Sequence, residues 1–310
     1  MADAVENVSG KDLAGKDFSG RDLAGANLSR ASLRGAIFQG ADLTGADLSY
    51  AVLAGGLFDG ARFHGARFYA SVFSGHAEPA REGPRTPGAL HETRARFRGA
   101  DLQGADFTSA LFDGTANEGL DFTGAALQGA KLARLDLRHV ILRGANLTGA
   151  DLQAARLDRA DLSRAVLADT ILKEGSMAGA RLWGAEFAGT DLAGARLETD
   201  MPGADLSRVD LSGAVLAGTF AGADFREADL SGAELDGDFS GADFTGATAR
   251  GADFTRARIR GADASGADLG RADLRGVDLS GVILFGANLD GARVDGADLT
   301  DALLPDSLSG

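Results

Sequence analysis

The sequence contains no cysteine, one tryptophan, two tyrosines and five prolines in 310 residues. Without cysteine there is no disulfide framework and no thiolate metal site. Glycine is abundant, at 45 residues, and large aromatics other than phenylalanine are scarce, so the core has to be narrow and built from Leu, Phe and Ala. No apolar run approaches the roughly 20 residues of a membrane-crossing helix. Met1 to Gly10 is acidic and polar, with no basic segment followed by an apolar one. No secretory signal and no membrane partner are therefore expected, and the cytoplasm is the expected location. The four histidines, His64, His76, His91 and His139, are scattered and form no His-x-x-x-His pair. There is no Gly-x-Ser-x-Gly, no phosphate loop ending in Gly-Lys-Ser/Thr and no dinucleotide fingerprint. The expectation is a non-enzyme that uses no cofactor and no metal.

What is present is one five-residue unit, repeated. Ala204 to Leu235 shows it plainly: Ala-Asp-Leu-Ser-Arg, Val-Asp-Leu-Ser-Gly, Ala-Val-Leu-Ala-Gly. A small residue stands first, a short polar residue second and Leu or Phe third; two variable residues follow, the last often Gly. From Leu13 to Leu304 there are 56 such units, and Leu or Phe fills the third position in 49 of them. The exceptions are Asn117, Met177, Met201, Ala249, Ile259, Ala264 and Val294. A period of five matches neither helix nor simple strand. It suits a chain that turns a corner every five residues, with the first and third side chains inward because alternate side chains of an extended segment share a side. Gly in fifth place supplies the dihedral freedom a corner needs. A fixed short period is the mark of a solenoid, and successive coils should stack about 4.8 Å apart. A solenoid filled this way leaves no concave substrate pocket.

Units such as Ala41-Asp42-Leu43-Thr44-Gly45 and Ala46-Asp47-Leu48-Ser49-Tyr50 resemble the pentapeptide-repeat family, over about nine tenths of the chain. The resemblance implies an all-β fold, a right-handed quadrilateral β-helix with four units per coil, here a β-solenoid of about 14 coils with one projecting loop. The best understood members resemble B-form DNA in size and charge. They bind DNA gyrase or topoisomerase IV and confer resistance to quinolones or other topoisomerase poisons.

Taken in order, the chain reads as a single solenoid over 1–310, with tails at 1–10 and 305–310. Lys11, Lys16 and Arg21 stand where small inward residues belong, which marks a frayed first coil whose long side chains reach water. Ile37 and Leu57, and Val52 and Val72, are outward apolar pairs one coil apart. Residues 74–96 break the repeat with Pro79, Pro84 and Pro87 and read as an excursion loop, with Arg81, Arg85 and Arg94 its candidate partner contacts. Loops also project from the quinolone-resistance members, but no motif is shared with them. From Phe97 to Leu197 the register holds, with Asn117 inward as the sign of a local bulge and Trp183 outward as a candidate contact. Between Leu197 and Phe244, three successive coils each lose one residue at the same place, in the column of Met201, Phe220 and Phe239. Either duplication of a coil or selection for a changed face accounts for this. The gyrase-binding members usually dimerise through a C-terminal helical cap, and Pro305 to Gly310 is too short for one. Ile283, Leu303 and Leu308 instead suggest an end-to-end homodimer.

The net charge of −14 argues against direct nucleic-acid binding and for a basic partner. Residues 1–197 hold 24 acids and 22 bases, whereas residues 198–310 hold 21 acids and 9 bases, so the acidity gathers late with few balancing cations. Glu186, Asp205, Asp224, Asp243 and Asp263 recur on one face, and Asp191, Asp210 and Asp229 on the next. Asp is also short, soluble and tolerant of turns, which suits the second position without any partner. Two functions follow. One is an acidic binder that mimics DNA and protects a type II topoisomerase from a poison. The other is a scaffold rod for protein–protein contacts without a topoisomerase.

Overall fold

The computed structural model describes residues 7–73, 95–112 and 120–304. The chain forms two compact units, Met1–Val166 and Leu167–Gly310. Each is a right-handed quadrilateral β-helix made of corners joined by very short extended segments, all in parallel register.

One corner explains the repeat. The backbone N–H of Ala41 donates to the carbonyl of Phe38 at 3.0 Å, closing a four-residue turn whose third residue, Gly40, has φ of 65°. A positive φ at that one place is the type II signature. Between coils, Leu43 N–H donates to the Arg62 carbonyl at 2.6 Å and Asp42 N–H to the Arg21 carbonyl at 2.9 Å. The polar backbone is thus satisfied along the coil stack, and the first and third side chains turn inward. Ala31, Leu33, Ala36 and Phe38 are fully buried in consecutive units. Lys11, Lys16 and Arg21 reach solvent, as their length requires, and the Arg21 guanidinium lies 5.9 Å from the centre of the Phe18 ring.

Unit 1 carries a ladder of phenylalanines. Phe18, Phe38, Phe58, Phe97 and Phe122 stack face to face, with successive ring centroids 4.8, 5.3, 4.7 and 5.0 Å apart. The rung spacing of a parallel stack is about 4.8 Å, so one ring per coil fits without tilting. The outward pairs Ile37 with Leu57 and Val52 with Val72 are bridged as the period requires. The segment 74–94, with Arg81, Arg85 and Arg94, lies outside the described residues. Ala95 is already buried and Arg96 already bridges Leu57, so the coil resumes two residues earlier than the sequence reading placed it.

The unbroken register expected from Phe97 does not hold. Bridges join Arg96 to Asp121, Asp101 to Ala126 and Asp106 to Lys131, a step of one whole unit more than the four of a square coil. Asn117 lies outside the described residues.

In unit 2 the three shortened coils change the local structure. Four parallel strands form where corners would otherwise stand: β1 Arg196–Glu198, β2 Val215–Thr219, β3 Glu234–Asp238 and β4 Asp253–Arg258, in the order β1-β2-β3-β4. Losing one residue removes the turn, and the chain passes through β2 as a strand, with Gly218 at φ of 124°. Met201, Phe220 and Phe239 are buried in one column beneath it. β4 has the full five-residue spacing, and the surplus residue appears as an irregularity in its pairing with β3 between Glu234 and Asp236.

The expectation of a completely filled core also fails in unit 2. A wholly apolar cavity of about 20 Å³ is lined by Ala249, Ala264, Phe254, Ile259 and Leu269, among others. Ala249 and Ala264 are two of the third-position exceptions, and both line it.

Candidate partner-binding surface

The acidic second positions begin as structural residues. In Asp205, Asp210, Asp224, Asp229, Asp243 and Asp263, one carboxylate oxygen accepts the backbone N–H two residues on, at 2.9 to 3.0 Å. This is the Asx turn, which leads the chain into the next corner. The sequence shows the signature as Asp-Leu-Ser or Asp-Phe-Thr, and a hydroxyl in fourth place adds a second bond, as from Ser207 Oγ to Asp205 at 2.7 Å. Asp at this position is therefore accounted for by the turn before any partner is considered.

The second carboxylate oxygen remains. Asp205, Asp224, Asp243 and Asp263 are bridged in succession, and Glu186 holds the second position of the unit 19 residues before Asp205. The shortage of balancing cations read from composition stands, and geometry shows where the few cations sit. Of the nine bases in residues 198–310, seven arginines lie within 4.0 Å of a carboxylate. Arg226 sits on the first row itself, 2.5 Å from Asp224 and 3.7 Å from Asp243. Its hydrogen bond holds the Asp224 carboxyl below the usual carboxylate range.

The second row differs. Asp191, Asp210 and Asp229 are bridged in succession, and none has a cation within 4.0 Å among the described residues. Further along this row Thr248 interrupts the charge, and Asp268 is held by Arg250 at 2.9 Å. The bare anionic surface is thus centred on Asp191, Asp210 and Asp229 and only secondarily on Asp205, Asp243 and Asp263. Sequence reasoning missed this ranking because the reach of the arginine side chains decides it: Arg226 folds back on Asp224 two residues before it, and Arg250 crosses to Asp268 on the next coil.

The other candidates are placed plainly. Trp183 is 69% exposed in fourth position. Ile283 and Leu303 are bridged on the outside of successive coils, and Leu303 is 59% exposed; Leu308 lies outside the described residues. Among the described residues no group of three or more His, Cys, Asp or Glu side chains could hold a metal ion, and no helix is long and apolar enough to cross a membrane.

The family pattern described as Pentapeptide repeats matches residues 12–76, 93–115, 121–198 and 204–301. No curated protein matches the chain. Among solved structures it is similar to HetL, a pentapeptide repeat protein involved in heterocyst differentiation regulation from the cyanobacterium Nostoc sp. strain PCC 7120. Identity is 26%, with 97% of this chain and 92% of that one covered and a TM-score of 0.22. It is also similar to full-length QnrB1, a plasmid-mediated fluoroquinolone resistance protein, at 18% identity, with 89% and 92% covered and a TM-score of 0.21.

Proposed function

The chain belongs to the pentapeptide-repeat family, and on that premise we propose that it is a non-enzymatic acidic binding protein of the cytoplasm. Its acidic rows stand in for DNA against the basic nucleic-acid-binding surface of a type II topoisomerase, DNA gyrase or topoisomerase IV, and protect that enzyme from a poison. The observation that carries this reading is the bare run of Asp191, Asp210 and Asp229, rung upon rung. One row places a carboxylate about every 4.8 Å. Two adjacent rows give one charge per about 2.4 Å, against about 1.7 Å for duplex DNA. Such a surface steers a basic partner and loses affinity as salt is added.

The test is a supercoiling assay with purified gyrase, with and without a poison, over a salt series. The triple variant Asp191→Asn, Asp210→Asn, Asp229→Asn keeps an oxygen to accept each turn N–H while removing three charges, so the fold is retained. Protection should fall at least about tenfold. The pair Asp12→Asn with Asp42→Asn, in the near-neutral part, should change it little. A triple variant that protects as well as the wild type ends the mimicry reading.

The scaffold reading rests on a separate observation: Phe285 and Leu303 are 67% and 59% exposed, close to the bridged Ile283. It gains ground if the wild type leaves gyrase untouched while sedimentation shows a dimer that Leu303→Ser dissociates.

A further inference from the structure

The shortened coils make more than a strand. On the outward face of β1–β4, alternate residues form two columns across the sheet: Arg196, Val215, Glu234 and Asp253 in one, Glu198, Ala217 and Asp236 in the other. At the first two outward positions of β2, Val215 and Ala217 are short and apolar, so the face dips between β1 and β3. The dip is a recess of about 470 Å³, large enough for one long side chain, with Val215 and Ala217 as its floor.

Its walls are charged and not balanced. Arg196 is bonded to Glu198, and Arg256 reaches Asp236 at 2.6 Å, so both cations are already occupied. Glu234 and Asp253 remain. They are register partners on adjacent strands, both exposed, and neither has a cation within 4.0 Å among the described residues. Like charges facing each other across neighbouring strands destabilise a sheet. One oxygen of Asp253 is held by Thr255, from its N–H at 2.8 Å and its Oγ1 at 2.6 Å, which fixes the carboxylate and leaves the other oxygen free.

We infer that this recess is a docking pocket for one arginine side chain of a protein partner. The three methylenes lie on Val215 and Ala217, and the guanidinium spans Glu234 and Asp253. Arginine fits better than lysine because its planar fork gives parallel bonds to two acceptors, whereas an ammonium is a point charge. The apolar floor covers the stem, and the two carboxylates without a cation within 4.0 Å supply the charge complement. The inference goes beyond the topoisomerase reading and does not depend on it, since Glu234 and Asp253 belong to neither acidic row.

The experiment uses the full chain, labelled for backbone amide NMR, titrated with N-acetyl-arginine methylamide and, separately, with the neutral isostere N-acetyl-citrulline methylamide. The arginine probe should shift amides of residues 215–219, 234–238 and 253–256 saturably, and the citrulline probe should not. The double variant Glu234→Gln, Asp253→Asn should weaken binding on the order of tenfold. Ala217→Gln, which fills the recess and leaves both carboxylates in place, should weaken it as well. The variant lacking charge at Asp191, Asp210 and Asp229 should bind as the wild type does. Shifts spread evenly over all acidic faces, or equal binding by the double variant, overturn the proposal.

Discussion

Gly237 lies where the backbone of one coil touches that of the next. A Cβ built there would stand 2.0 Å from the Gly218 carbonyl oxygen and 2.9 Å from the Gly218 nitrogen. Backbone cannot move aside as a side-chain tip can, so Gly237→Ala should cost about 2–3 kcal/mol. Gly15 serves as the contrast. It has φ of 67° with nothing within 4 Å of a Cβ, so Gly15→Ala should cost only the conformational penalty, about 1 kcal/mol. Ala154 shows the reverse case, a non-glycine corner with φ of 53°. Ala154→Gly should stabilise by about 0.5 kcal/mol, because relief of the left-handed strain exceeds the added freedom of the unfolded chain. Urea unfolding of the three variants checks the order. A Gly237→Ala protein as stable as Gly15→Ala would mean that the coils do not touch at Gly218.

Within a coil, the third-position side chain decides how full the interior is. Ala249 and Ala264 leave the apolar cavity of about 20 Å³, whereas Ala145 is fully buried among complete columns. Ala264→Val adds two methyl groups to empty space and should raise stability by about 1 kcal/mol. Ala145→Val adds them to a packed layer and should lower it by about 1–3 kcal/mol. Thermal melts of both variants test this, and a destabilised Ala264→Val would show the cavity closed. The same elements show how much was legible beforehand. Columns, corners and the stacking of Ile37 on Leu57 follow from the period alone, because each coil repeats one local solution. Two features did not follow. The surplus unit between Arg96 and Asp121 keeps the five-residue rhythm and so is invisible to it; only pairing across 25 residues, as between Asp101 and Ala126, exposes it. The omissions before Met201, Phe220 and Phe239 were visible as spacing, but their result was not. Whether a shortened corner bulges or straightens depends on Gly218 and Gly237 letting backbones approach. The acidic rows were readable for the same reason as the columns, and their neutralisation was not, since it depends on Arg226 folding back onto Asp224 in its own unit and on Arg250 crossing to Asp268 on the next coil.

For the molecule as a whole, the same carboxylates make stability depend on pH. Hydrogen bonds from Arg275 hold Asp273 well below its ordinary 3.8, at about 2. Asp224 and Asp268 are lowered by Arg226 and Arg250, and Asp17, Asp278 and Asp298 by the hydroxyls of Ser19, Ser280 and Thr300. At Asp121, burial pushes upward, but bonds from Thr123 and Arg98 together outweigh it and hold the group low. Every one of these shifts is a depression, so each contributes stability that is complete above pH 3.8 and lost as pH falls toward 2. An opposing effect acts at higher pH. The net charge of −14 at pH 7 repels itself, and protonation toward the isoelectric point near 4.7 relaxes that repulsion. The melting temperature should therefore rise or stay level from pH 7 to about 4.5 and fall steeply between 4 and 2. Added salt should raise it at pH 7, where repulsion dominates, and change it little near pH 4.7. Asp273→Asn should flatten the acid limb, because the variant has no proton to take up there. Melts across pH 2–7 at two salt concentrations measure all three effects. An acid limb as steep in Asp273→Asn as in the wild type would show that the Arg275 pair is no part of the acid response.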